Sequence, residues 1–143
     1  MDRNRKILVV DDEKNICTLI KNALELEGYE VLVTTDPLEA MAMIEKNNIY
    51  IVISDIKMPG MSGLELQEKI KFHNELIQVI MITGYVTMEN ILGAFRLGAL
   101  NVFFKPLNNL DDLIDEVASA SGKIKRILEV LKQWSSIKYN KGA

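Results

Sequence analysis

The sequence predicts an α/β fold: a doubly wound, five-stranded parallel sheet with an extended C-terminal helix. Five short apolar runs alternate with stretches of helical periodicity, the pattern of a parallel sheet covered on both faces. The runs are rich in β-branched residues and too short to cross a membrane, as buried strands are. Four of them stop at polar residues, namely Asp11-Asp12, Asp55, Thr83 and Lys105. Parallel strands bring all of those ends to one edge, where open α/β sheets bind ligands.

The elements follow in order. Ile7-Leu8-Val9-Val10 is the first strand and ends in Asp11-Asp12-Glu13. The next helix carries Ile16, Leu19, Ile20, Ala23, Leu24 and Leu26 on one face and closes at Gly28. Val31-Leu32-Val33-Thr34 is the second strand, and Asp36-Pro37 supplies an N-cap with proline at the first helical position. The helix it opens shows Leu38, Met41, Ala42 and Ile44 at helical spacing and ends near Asn47-Asn48; its methionines read as core filler. Ile49 to Ser54 is the third strand, followed by the loop punctuation of Pro59, Gly60 and Gly63 and a helix with Leu64, Leu66 and Ile70. His73, at the polar end of that helix, has no second ligand residue nearby and reads as a surface residue. Val79 to Ile82 is the fourth strand, and Met88, Ile91, Leu92, Phe95 and Leu97 mark the helix before Gly98. Val102-Phe103-Phe104 is the fifth strand and leads into Lys105-Pro106.

A length of 143 residues suits one domain with a real core. A net charge of −3 gives no global attraction to nucleic acid or an anionic membrane. No long apolar segment follows the charged N-terminus, so neither a signal peptide nor a membrane span is expected. The single cysteine, Cys17, lies on an apolar stripe; it excludes an internal disulfide and fits the cytoplasm.

Asp55 stands where a core strand leaves the sheet. An isolated aspartate there would be an N-cap or turn residue, but Asp55 converges with Asp11, Asp12, Thr83 and Lys105. Three adjacent carboxylates repel one another and require a counter-charge. A hard divalent cation meets that need, and Mg2+ suits one or two carboxylates together with water and phosphate oxygens. Lys105 adds a flexible point charge, Thr83 a hydroxyl, and Gly84 approachable backbone amides. Such a set suits a phosphoryl group, which a carboxylate attacks to form an aspartyl phosphate.

Asp11-Asp12, Asp55 with Met58-Pro59-Gly60 and Gly63, Thr83-Gly84 and Lys105-Pro106 together resemble the receiver domain of two-component response regulators. The likeness runs from about Lys6 to Ala120. It implies a flavodoxin-like (β/α)5 topology with strand order 2-1-3-4-5. It further implies Asp55 as phospho-acceptor, a histidine kinase as phosphoryl donor, and Asp12 as a direct Mg2+ ligand. Asp11 would bind the metal mainly through water, the Lys57 backbone carbonyl would complete the protein ligands, and Thr83 and Lys105 would hold the phosphoryl oxygens. A cis peptide between Lys105 and Pro106 also follows, proline having lowered its cost. Two positions depart from the common pattern. Val102 stands three residues before the lysine, where many receivers carry the aromatic of a rotamer switch, and Phe103 and Phe104 are displaced from it. Tyr85, two residues after Thr83, is expected to shield the acyl phosphate from water together with Lys57.

Beyond the receiver unit, taken as residues 1–120, the helical spacing continues. Leu110, Leu113, Val117, Ala120, Ile124, Ile127, Leu131 and Trp134 alternate by three and four. Asp111 to Trp134 would span roughly 36 Å, more than short strands can cover. Residues 121–134 are therefore expected to project as a linker or dimerisation helix, giving a possible homodimer, and residues 135–143 to be a disordered tail. No helix-turn-helix, P-loop or cyclase motif follows, so direct nucleic-acid binding is not expected and the output partner is unspecified. A haloacid-dehalogenase-type phosphohydrolase shares the chemistry, but its nucleophile ends the first strand in Asp-x-Asp. A flavin binder of this topology would need a phosphate cradle where Asp11-Asp12-Glu13 stands.

Overall fold

The structure is a computed structural model that describes residues 5–85 and 87–141. Its strands are β1 (Lys6–Val10), β2 (Val31–Thr34), β3 (Ile49–Asp55), β4 (Gln78–Thr83) and β5 (Asn101–Phe104). Its helices are α1 (Lys14–Leu26), α2 (Pro37–Lys46), α3 (Gly63–His73), α4 (Met88–Arg96) and α5 (Asp111–Lys141). The sheet is parallel throughout, as the sequence pattern predicted, and its order β2-β1-β3-β4-β5 is the one the family resemblance implied.

Alternation along the strands divides the core. Leu8, Val10, Val52, Val79 and Met81 face α2, α3 and α4, meeting Ala40, Ile44, Leu66, Ile70 and Ala94. Ile7, Val9, Ile51, Ile53, Ile80 and Ile82 face the other way and pack on α1 and α5 through Cys17, Ile20, Leu24, Leu113, Val117, Ala120 and Ile124. Each fully buried aliphatic side chain contributes about 1.5–3 kcal/mol. Cys17 is accordingly a core residue.

Local signals set the ends. Asp36 Oδ1 accepts from Leu38 N–H at 2.9 Å, Ser62 Oγ from Glu65 N–H at 3.1 Å, and Thr87 Oγ1 from Asn90 N–H at 3.1 Å, each capping its helix. Gly28 and Gly98 take φ of 93° and 97° where α1 and α4 end. His73 is exposed in the last turn of α3.

Apolar spacing overstates the buried faces of three helices, and one expectation, the disordered tail, needs correction. Leu19 and Leu26 of α1 and Leu38 of α2 are exposed, because the sheet covers a narrower stripe than the apolar pattern suggests. On α4, Met88, Leu92 and Phe95 are exposed and Ala94 alone is buried, since the sheet beneath ends in the short edge strand β5. The tail expected to be disordered from Ser135 is helical to Lys141, as no glycine or proline interrupts the chain before Gly142. Residues 142 and 143 lie outside the described residues.

Candidate functional site

The carboxyl ends of β1, β3, β4 and β5 meet in a cleft of about 490 Å³ lined by Asp12, Glu13, Asp55, Lys57, Gly84, Tyr85 and Lys105, among others. Asp55 ends β3 buried, and its position is fixed from two directions. Ile56 N–H donates to the Ile82 carbonyl at 3.1 Å, and Gly63 N–H donates to the Ile56 carbonyl at 2.7 Å. The start of α3 passes so close that a Cβ on Gly63 would lie 2.0 Å from the Asp55 carbonyl oxygen. Only glycine fits there.

Lys105 Nζ is the centre of charge. It lies 3.0 Å from Asp55 Oδ2, 2.8 Å from Asp11 Oδ2 and 3.2 Å from Glu13 Oε2. Burial by itself disfavours the ammonium, but the attraction of Asp11 and Asp55 outweighs it and holds Lys105 above its ordinary range. Burial pushes the Asp11 carboxyl up, and Lys105 only partly offsets that. The Lys105 contact with Asp11 Oδ2 is close but poorly aligned, leaving this buried oxygen an ion-pair contact without a hydrogen bond. Lys105 N–H donates to the Thr83 carbonyl at 2.9 Å, and the Lys105–Pro106 peptide is cis.

Carboxylate oxygens of Asp11, Asp12 and Asp55 all lie within 4.8 Å of one another, with Asp12 exposed at the rim. Three hard oxygen donors, one of them buried and lacking a hydrogen bond, fit a divalent cation. Lys57 N–H donates to Asp55 Oδ1 at 3.3 Å, and its ammonium lies 3.9 Å from the centroid of the Tyr85 ring. The Thr83 hydroxyl is turned into its own loop, donating to the Tyr85 carbonyl at 2.9 Å and accepting from Tyr85 N–H at 3.0 Å. All the residues expected at the site are thus brought together, with Thr83 engaged elsewhere. Glu13 joins them unforeseen. It is the N-cap residue of α1 but makes no capping bond with its side chain, which goes to Lys105. The third acid of Asp11-Asp12-Glu13 was the only signal for it.

The model of the response regulator receiver domain matches residues 7–118. The chain belongs to that family. Among curated relatives, sporulation initiation phosphotransferase F of Bacillus subtilis is 36% identical over 114 residues, covering 80% of this chain and 91% of that protein. The transcriptional regulatory protein ZraR of Klebsiella oxytoca is 34% identical over 102 residues, which are 71% of this chain but 23% of ZraR. Among solved structures, a CheY-like receiver domain from Methanospirillum hungatei superposes with a TM-score of 0.81 at 34% identity, covering 85% of this chain and 97% of that one. NtrX from Brucella abortus gives a TM-score of 0.81 at 34% identity over 90% of this chain and 29% of that one. As a receiver, the chain is a phospho-acceptor signalling domain of the two-component type. Among its described residues, no helix is long and apolar enough to cross a membrane.

Proposed function

We propose that Asp55 accepts the phosphoryl group of a histidine kinase. One carboxylate oxygen attacks phosphorus, the P–N bond of the phosphohistidine breaks, and the imidazole leaves with the bonding pair. The observation that carries this reading is the meeting of Asp55 and Lys105 at 3.0 Å, from strands 50 positions apart. Asp12, Asp55, the Lys57 backbone carbonyl and, mainly through water, Asp11 would hold Mg2+. When bound, the ion neutralises charge that builds on the phosphoryl oxygens. Lys105 then exchanges its carboxylate contacts for a phosphoryl oxygen. Thr83 releases the Tyr85 carbonyl to donate to another, so the β4–α4 loop moves with its hydroxyl. These new bonds bias a pre-existing equilibrium between two loop arrangements. Val102 is buried and Phe104 half-exposed, so loop movement replaces an aromatic rotamer as the element that reports on Thr83.

The chain acts as an acceptor that assists its own phosphorylation and dephosphorylation, in the cytoplasm, where Cys17 stays a thiol. Beyond Leu128 every α5 residue with a described side chain is exposed, including Val130, Leu131, Trp134 and Ile137. A bare amphipathic helix is marginal in water; a second copy of the chain covers this one, giving a homodimer through the C-terminal helix.

The decisive experiment offers phosphorylated kinase with Mg2+ to the chain and to Asp55→Asn. Alkali-labile, hydroxylamine-sensitive label on the first and none on the second is the expected result. Equal labelling of both would remove Asp55 from the reaction.

A further inference from the structure

On the side of the sheet away from α5, α2 and α3 enclose a groove of about 930 Å³. Met41 and Phe72 make it apolar, and Glu45, Glu65 and Glu68 make it acidic, with Lys69 and His73 as its basic lining residues. Phe72 is 95% exposed, so the fold gains almost nothing from its ring. A large aromatic left in water beside a carboxylate-rimmed groove is the composition of a docking surface for a basic, apolar segment.

The chain carries such a segment. Between Lys123 and Lys141 stand five lysines and Arg126 against the single acid Glu129, an excess of five positive charges. The whole chain is at −3, so the residues before Lys123 hold an excess of eight negative charges. The three-and-four spacing that passes through Leu131 and Trp134 next reaches Lys138 and Lys141. Two α5 ends lying side by side would put Lys138 of each copy into the seam between them, where like charges oppose pairing.

We infer that the free end of α5 docks in the α2–α3 groove of a second copy, setting Trp134 and Ile137 against Phe72 and the lysines against Glu45, Glu65 and Glu68. This rests on the proposal above that α5 recruits a second copy, and names where that helix goes. The helix does not reach its own groove, because the sheet lies between them. The lengths are comparable: residues 129–141 form a helix of about 20 Å, and α2 and α3 are about 15 and 17 Å long. Made twice about a two-fold axis, the contact closes as a dimer.

The test is sedimentation equilibrium of the full chain with Mg2+, with and without beryllofluoride, in low and high salt. The wild type is expected to dimerise, less so in high salt. Phe72→Ser, a change at a side chain the fold leaves in water, is expected to weaken the dimer at least tenfold. The groove double variant Glu65→Lys with Glu68→Lys and the tail double variant Lys132→Glu with Lys138→Glu should each be monomeric alone and dimerise when mixed, since each groove then meets a tail of opposite charge. A dimer that survives both groove variants but is lost in Trp134→Ser would mean that the α5 ends pair with each other, overturning the groove while leaving recruitment of a second copy intact. A monomer in every condition would overturn both.

Discussion

The Lys57 ammonium lies 3.9 Å from the centroid of the Tyr85 ring, so the loop after β3 and the loop after β4 touch at the mouth of the Asp55 cleft. A contact of this kind contributes about 0.5–1 kcal/mol at an exposed site. If Asp55 is the phospho-acceptor proposed above, Lys57 and Tyr85 line the cleft that its acyl phosphate would share with attacking water. Tyr85→Ala is expected to speed loss of the phosphoryl group about fivefold, the rate equivalent of roughly 1 kcal/mol. Release of labelled phosphate from the purified phosphoprotein measures it. An unchanged rate removes the shield.

Because the convergent carboxylates of Asp11, Asp12 and Asp55 would hold Mg2+ in the folded chain and not in the unfolded one, the ion should stabilise the fold. At ten times its dissociation constant the gain is about 1.4 kcal/mol. Thermal unfolding with and without Mg2+ reads this as a higher midpoint, reversed by a chelator. In Asp12→Asn the increment should shrink or vanish at the same concentration; an undiminished increment would place the ion elsewhere.

Burial pushes the Cys17 thiol from its ordinary 9.0 up to about 11. At pH 8 the thiolate fraction is then about a hundredfold below that of a free cysteine, and alkylation of the native chain should be slower by at least that factor. Denaturant should restore the ordinary rate. The folded pKa is the higher one, so the protonated thiol's contribution to stability is complete below pH 9 and is lost as pH rises from 9 towards 11. Cys17→Ala should flatten the stability profile in that alkaline window, at the cost of a small cavity.

Gly63→Ala places a methyl group 2.0 Å from the Asp55 carbonyl oxygen and 2.9 Å from Ile56 Cα. Backbone cannot yield as a side-chain tip does, so the expected loss is about 3 kcal/mol, at the upper end for overpacking. Urea unfolding measures it. Gly122→Ala is the control: the nearest atom to an added Cβ is the flexible guanidinium of Arg126, one turn along the same helix, at 3.5 Å, and alanine there should stabilise α5 by up to about 1 kcal/mol.

The strands were legible because buried parallel strands are continuous apolar runs, and their polar ends marked the site without reference to tertiary contacts. Asp36-Pro37 and Gly98 fixed helix ends for equally local reasons. What escaped the sequence depends on neighbours. Helical periodicity identifies an apolar face but not whether anything lies opposite it, and Leu26 and Met88, both part of apolar spacings, stand exposed. Glu13 reaches Lys105 only because β1 and β5 flank the same cleft, a relation spanning 92 positions. The direction of the Thr83 hydroxyl is likewise set by a loop whose conformation no pattern announces.

The 31-residue α5 runs unbroken through Gly122 for about 46 Å. Each residue along it turns the surface by about 100°, so the compass bearing of Trp134 and Ile137 relative to the Asp55 cleft is a matter of residue count. Inserting one residue after Leu128 would swing that apolar stripe by about 100°, whereas inserting seven would return it to within about 20° of its original heading. The helix thus works as an indexed shaft: phase, as much as composition, is what its sequence encodes.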